Sequence, residues 1–101
     1  MKASVCIEMI YTEYHFIDRI KKAAEQGFDA VEFWNWDSKD MEIIQKTAAS
    51  AGIKIATFQS NLGGTLIHPS HRQNFVAGIK KSLAKANQMD VQAMFMLTDE
   101  L

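Results

Sequence analysis

A short apolar run, a polar turn and an amphipathic stretch follow one another three times along the chain. This recurrence predicts an α/β fold of βαβ units around a parallel sheet. Two observations sharpen it. The apolar runs begin near residues 5, 30, 55 and 91, and the first two intervals are about 25 residues each, the size of one βα unit. The first two helical patterns each end on a glycine, Gly27 and Gly52, as left-handed helix ends commonly do. The expected result is about four parallel strands and three helices. Periodicity alone leaves two architectures open: an open, doubly wound sheet, or a piece of a (β/α)8 barrel. Helices on both faces of the sheet mark the first, helices on one convex side the second.

The first strand is predicted over residues 4–11, rich in Val and Ile and too short for a typical helix. Alternation places Val5, Ile7 and Met9 on one face and Cys6, Glu8 and Ile10 on the other. Over residues 14–26, Phe16, Ile17, Ile20, Ala23 and Ala24 form one stripe, with Asp18, Arg19, Lys21, Lys22 and Glu25 opposite, as in an amphipathic helix. The second strand covers residues 30–36. Ser38 is the expected cap of the next helix, whose inner side is Met41, Ile44, Ala48 and Ala51. A third strand at residues 54–59 leads into a polar loop, 60–68, containing Gly63-Gly64. Pro69 suits the first turn of a third helix, for which Phe75, Val76, Ile79, Leu83 and Ala86 are the predicted apolar face. A fourth strand is predicted over residues 91–97. With no linker or low-complexity stretch, residues 1–101 are expected to form one domain.

Composition narrows the function. Of the 101 residues, 48% are hydrophobic and 23% charged, and the net charge is −1. A polyanion partner needs a surplus of Lys and Arg, so no nucleic-acid partner is expected. No apolar run approaches the roughly 20 residues that cross a bilayer, so no membrane association is expected. The N-terminal run, broken by Glu8, is a poor signal peptide. The lone Cys6 excludes an intramolecular disulfide and suits a buried residue in a reducing, cytoplasmic setting.

Across residues 10–34 the chain resembles hydroxypyruvate isomerase and its relatives in the xylose-isomerase-like barrel superfamily. The likeness is carried by Tyr11-Thr12-Glu13, by Phe16-Ile17-Asp18-Arg19 and by Gly27-Phe28-Asp29-Ala30-Val31-Glu32-Phe33-Trp34. His68-Pro69-Ser70-His71-Arg72 also resembles the family's aspartate/proline/arginine helix start, with His68 in the acid's place. The resemblance implies a partial (β/α)8 TIM barrel, its N-terminal portion. It implies an enzyme interconverting a 2-hydroxyaldehyde and a 2-ketoalcohol, with a small hydroxy-carbonyl substrate. In that family a divalent metal, Mg2+ or Mn2+, holds the substrate oxygens, and two glutamates move a proton through an enediolate. Those acids stand mostly on later strands. The catalytic residues are therefore expected beyond residue 101, with no metal held by this chain alone and little activity from it. Either a further half or a second copy in a homodimer would complete the barrel.

A barrel site forms at the C-terminal ends of its strands, here near residues 8–11, 32–36, 59–61 and 96–99. Glu8 is a candidate to bind a substrate hydroxyl, against the reading of a half-exposed strand residue. Glu32 is a candidate in or just below the site, against that of a buried, paired acid. Trp34 and Trp36 can wall a pocket or simply pack, and only Trp34 is retained as a site residue. Asn61 is a candidate donor to a substrate oxygen. His68 and His71 lack a convincing third metal ligand nearby and read as loop residues. His15 reads as a surface residue, Gly63-Gly64 as a flexible loop, and Met94 and Met96 as core filler.

Overall fold

The computed structural model describes residues 2–63 and 67–97. Their elements run β1 (Ser4–Cys6), α1 (Phe16–Glu25), β2 (Ala30–Asn35), α2 (Met41–Ala51), β3 (Lys54–Gln59), a 3-10 turn (Pro69–His71) and α3 (Arg72–Gln88). The strands pair in parallel in the order β1-β2-β3.

The first strand is shorter than its apolar pattern predicts. After Cys6 the chain turns: the Met9 amide donates to the Cys6 carbonyl at 3.3 Å, and Tyr11 takes a left-handed backbone with φ 57°. A non-glycine residue there costs roughly 1–2 kcal/mol and cannot continue a strand. Ile7, fully buried, still donates its amide to the Glu32 carbonyl of β2 at 3.0 Å, and the residues after it leave the sheet.

The first helix keeps its predicted stripe, with Ile20 and Ala23 buried. The second starts on a different cap from the one expected. The Asp40 carboxylate accepts the Ile43 amide at 3.2 Å, whereas the Ser38 hydroxyl turns back to the Asn35 carbonyl. Asp40 wins because it stands at the position from which an oxygen reaches the third residue's amide. Gly52 ends α2 at φ 73°, a conformation in which any other side chain would be strained.

In α3 the buried stripe is Phe75, Gly78, Ser82 and Ala86. The expected inner residues Val76 and Leu83 are instead 46% and 50% exposed. Two small residues caused the misreading. Gly78 lets the loop after β3 approach until a Cβ there would lie 3.1 Å from the Leu62 Cβ, and Ser82 is buried through its hydrogen bonds.

The fourth predicted strand is an extended segment joined to the sheet at one place. Phe95 bridges Gln59 in parallel, its amide donating to the Phe58 carbonyl and its carbonyl accepting the Ser60 amide. This pairing selects between the two architectures. In the common doubly wound orders the sheet grows back on the far side of β1 at a switch point, whereas here the chain keeps growing past β3. Helix placement agrees. Val31, Phe33 and Phe58 share one core with Ile20 and Ala23 of α1, Ile44 and Ala48 of α2, and Ala86 of α3. The helices thus cover one face, and the register leaves Cys6, Glu32 and Thr57 in a half-buried row on the other. This is the layout of part of a (β/α)8 barrel, helices outside and polar-lined strands inside.

Candidate functional site

The C-terminal ends of β1 and β2 are tied by one ion pair. The Lys39 ammonium lies 2.7 Å from Glu8 Oε1, with side-chain exposures of only 15% and 17%. The same Glu8 oxygen accepts the Trp34 amide at 3.2 Å, and Lys39 also donates to the Asn35 carbonyl at 2.7 Å. The ammonium sits 5.1 Å from the Phe16 ring centroid and 5.7 Å from that of Phe33. Those ring faces carry negative potential and favour a cation. Phe16 meets Phe33 edge-on and Phe33 stacks on Phe58, so the lysine rests on the aromatic core itself.

The loop between β1 and α1 is fixed by a second cation. Arg19 donates to the carbonyls of Tyr14 and Ile7 at 3.0 Å and of Thr12 at 3.5 Å. Its charge pattern placed it on the outer face of α1, yet it folds back over the loop. Carbonyls of a turning chain need donors, and a guanidinium can serve several at once.

The candidate residues separate into distinct environments. Glu8 and Trp34 meet at the strand ends through the Trp34 backbone amide, and Trp34 is 42% exposed. Asn61 stands at the end of β3, but its side-chain amide pairs with Leu97 in both directions, donating to the carbonyl and accepting the amide at 2.9 Å each. It works as a strand partner. Glu32 lies two residues down β2 from Trp34, about 7 Å deeper at the usual rise of a strand. Its carboxylate accepts the Ser4 hydroxyl at 3.0 Å, toward the opposite end of the sheet. Trp36 packs against Phe58, and its indole N–H donates to the Ser82 hydroxyl at 2.7 Å, which in turn donates to the Ser60 carbonyl at 2.8 Å. Cys6 is half-buried. His15, His68 and His71 are exposed. Gly64 and residues 98 and 99 lie outside the described residues.

Sequence reasoning missed two residues that organise this region, Lys39 and Arg19. The signal for Lys39 was a single cation directly after an aromatic strand end, Phe33-Trp34-Asn35-Trp36. For Arg19 the sequence carries no signal beyond its place in the family-like block.

Among the described residues no group of three or more His, Cys, Asp or Glu side chains is arranged to hold a metal ion. The divalent metal implied by the family resemblance has no matching ligand set there, and no chemical step is routed through one. One surface groove lies between α1 and α2 at Lys21, Lys46, Thr47 and Ser50, another at the opposite end of β3 beside Ile55, Met89 and Val91, and a third just past the C-terminal end of β3, between Leu62, Gly63 and α3. No described helix is long and apolar enough to cross a membrane.

With the fold and this rim in place, likeness to solved structures can be weighed. The chain aligns with a crystal structure of AP endonuclease, family 2, from Brucella melitensis (TM-score 0.85, 21% identity, covering 97% of this chain and 41% of that one). It aligns with a xylose isomerase-like TIM barrel/4-hydroxyphenylpyruvate dioxygenase fusion protein (TM-score 0.74, 16% identity, covering 95% and 16%). A third is the probable 3-DHS dehydratase AsbF involved in petrobactin synthesis from Bacillus anthracis (TM-score 0.70, 19% identity, covering 96% and 38%). No family model and no curated protein matches the sequence. These likenesses show the fold, that of part of a TIM barrel. The chain spans less than half the length of each of these structures.

Proposed function

We propose that this chain forms part of a cytoplasmic enzyme barrel that interconverts a 2-hydroxyaldehyde and a 2-ketoalcohol, with a substrate the size of hydroxypyruvate. One observation carries the reading: at the C-terminal ends of adjacent parallel strands Glu8 pairs with Lys39 and accepts the Trp34 backbone amide, and Trp34 is 42% exposed. Barrels of this kind build their sites there. In this reading Trp34 walls the pocket and the second oxygen of Glu8 faces a substrate hydroxyl, while Lys39 holds Glu8 in place. Glu32 and Asn61 act from further off, Glu32 along the inner face and Asn61 by fixing the segment at Leu97. The proton-transfer acids and the divalent metal, Mg2+ or Mn2+, belong to further βα units. The 101-residue chain by itself binds substrate weakly and does not turn it over.

The test is a hydroxypyruvate titration followed by 15N–1H NMR, with and without Mg2+ and with an isomerase assay on the same sample. Saturable shifts at the Trp34 indole and amide, lost in Glu8→Gln, without turnover, are the expected result. Shifts confined to α1 and α2, or turnover by the isolated chain, would sink the reading. The AP endonuclease likeness motivates one rival, a role on damaged DNA. A net charge of −1 disfavours it. Binding of an abasic-site duplex at low salt, with no response to hydroxypyruvate, would establish it instead.

A further inference from the structure

Two imidazoles stand together at a place the candidate site does not use. His68 is in extended backbone, at φ −94° and ψ 115°, and leads into the 3-10 turn Pro69–His71. The His71 amide donates to the His68 carbonyl at 2.9 Å and closes the turn. Pro69 locks its own φ and so stiffens the link between the two histidines. Residues three apart come to one side of such a turn. The rings accordingly meet edge-on, their centroids 5.9 Å apart and their planes at 71°. Both histidines are exposed, so an ion from solution can reach them.

That separation suits a shared metal ion. Two imidazole nitrogens, each about 2.0–2.1 Å from one metal, place their ring centroids roughly 4.5–6 Å apart. An imidazole has two nitrogens. One can hold the metal while the other keeps a protein partner, as metal-bound histidines commonly do. The donor set then selects the ion. Among the described residues no third His, Cys, Asp or Glu joins the pair. A closed structural zinc site takes four protein ligands. Mg2+ and Ca2+ take oxygen ligands. Cu2+ and Ni2+ favour imidazole and accept a tetragonal arrangement, which two nitrogens and water can supply.

We propose that His68 and His71 form a two-nitrogen surface site for a divalent late transition-metal ion, Cu2+ or Ni2+, separate from the Mg2+ or Mn2+ of the substrate reading. The inference rests on this turn and its paired rings alone, so it and the substrate reading can fail independently.

The test is a Ni2+ titration of the full chain, read by calorimetry and by NMR of its three histidine rings. One ion per chain should bind. The His68 and His71 ring signals should broaden together while His15 stays sharp. His68→Ala and His71→Ala should each weaken binding about tenfold or more, since either leaves one ligand without chelation. In Cys6→Ser, which removes the single thiol, Cu2+ should displace Ni2+, and Mg2+ in large excess should not. Circular dichroism checks that the variants stay folded; for one that does not, the ring broadening in the unaltered chain decides. Absence of saturable binding, broadening of His15 alongside the pair, or displacement by Mg2+ overturns the proposal. So does an affinity indifferent to either substitution, which would leave a single histidine as the contact.

Discussion

The two halves of the sheet solve one problem with different chemistry. Around β1 and β2 the strand ends are fastened by charge: Lys39 bridges Glu8 and Asn35, and Arg19 gathers the carbonyls of the following loop. Around β3 and the segment at Phe95 the fasteners are neutral: Trp36 to Ser82 to Ser60, and Asn61 to Leu97. A charged fastener that is mostly out of water costs much to break on one side. A neutral one costs about the worth of its unsatisfied partners. Single changes should therefore cost most in the first half, and in both halves a matched second change should recover part of the loss.

The comparison can be broken from its largest effect downward. Lys39→Met should destabilise by about 3 kcal/mol, since it leaves the Glu8 carboxylate largely dehydrated and without its counter-charge. Adding Glu8→Gln should recover about 1 kcal/mol or more, read as the coupling in a double-mutant cycle of urea unfolding. Strict additivity would show that the ion pair is not the fastener. Arg19→Ala should cost about 2 kcal/mol through its charged hydrogen bonds, with faster hydrogen exchange in residues 9–14; exchange unchanged there would assign the loop's order elsewhere. Ser82→Ala should cost about 2 kcal/mol, because the Trp36 N–H and the Ser60 carbonyl both lose their partner, and Trp36→Phe should restore part of it. Asn61→Ala should cost about 1 kcal/mol and loosen only the segment at Leu97. Glu42→Gln, which breaks a surface pair at 3.0 Å, should change stability by less than about 0.5 kcal/mol. A larger effect there would mean that exposed charges count as much as half-buried ones.

Much of the architecture was legible because period and punctuation agreed. Gly27 and Gly52 stop two helices where their apolar stripes stop, and β3 occupies residues 54–59 as its β-branched run requires. The departures have local causes invisible to periodicity. The run after Cys6 looks like strand, yet Tyr11 adopts a left-handed backbone in a turn whose carbonyls the Arg19 side chain binds. In α3 hydrophobic side chains were expected inside, but close approach to Leu62 and a buried hydrogen-bond relay gave the inner face to Gly78 and Ser82. The site was legible in outline, since strand ends can be located from sequence. The partner of Glu8, seven residues past Glu32, could not be, because ion pairing across a parallel sheet depends on register and loop path rather than spacing.

The sheet's neighbour order has a bearing on how the chain is made. Each strand pairs with the one synthesised just before it, and α1 and α2 pack on the strand that follows each of them. At roughly 5–20 residues per second on the ribosome, β1 and β2 can zip together while β3 is still in the exit tunnel. Neither of these two pairings must wait for a distant partner. Such a protein can assemble one βα unit at a time in the order of its message, each unit the template for the next.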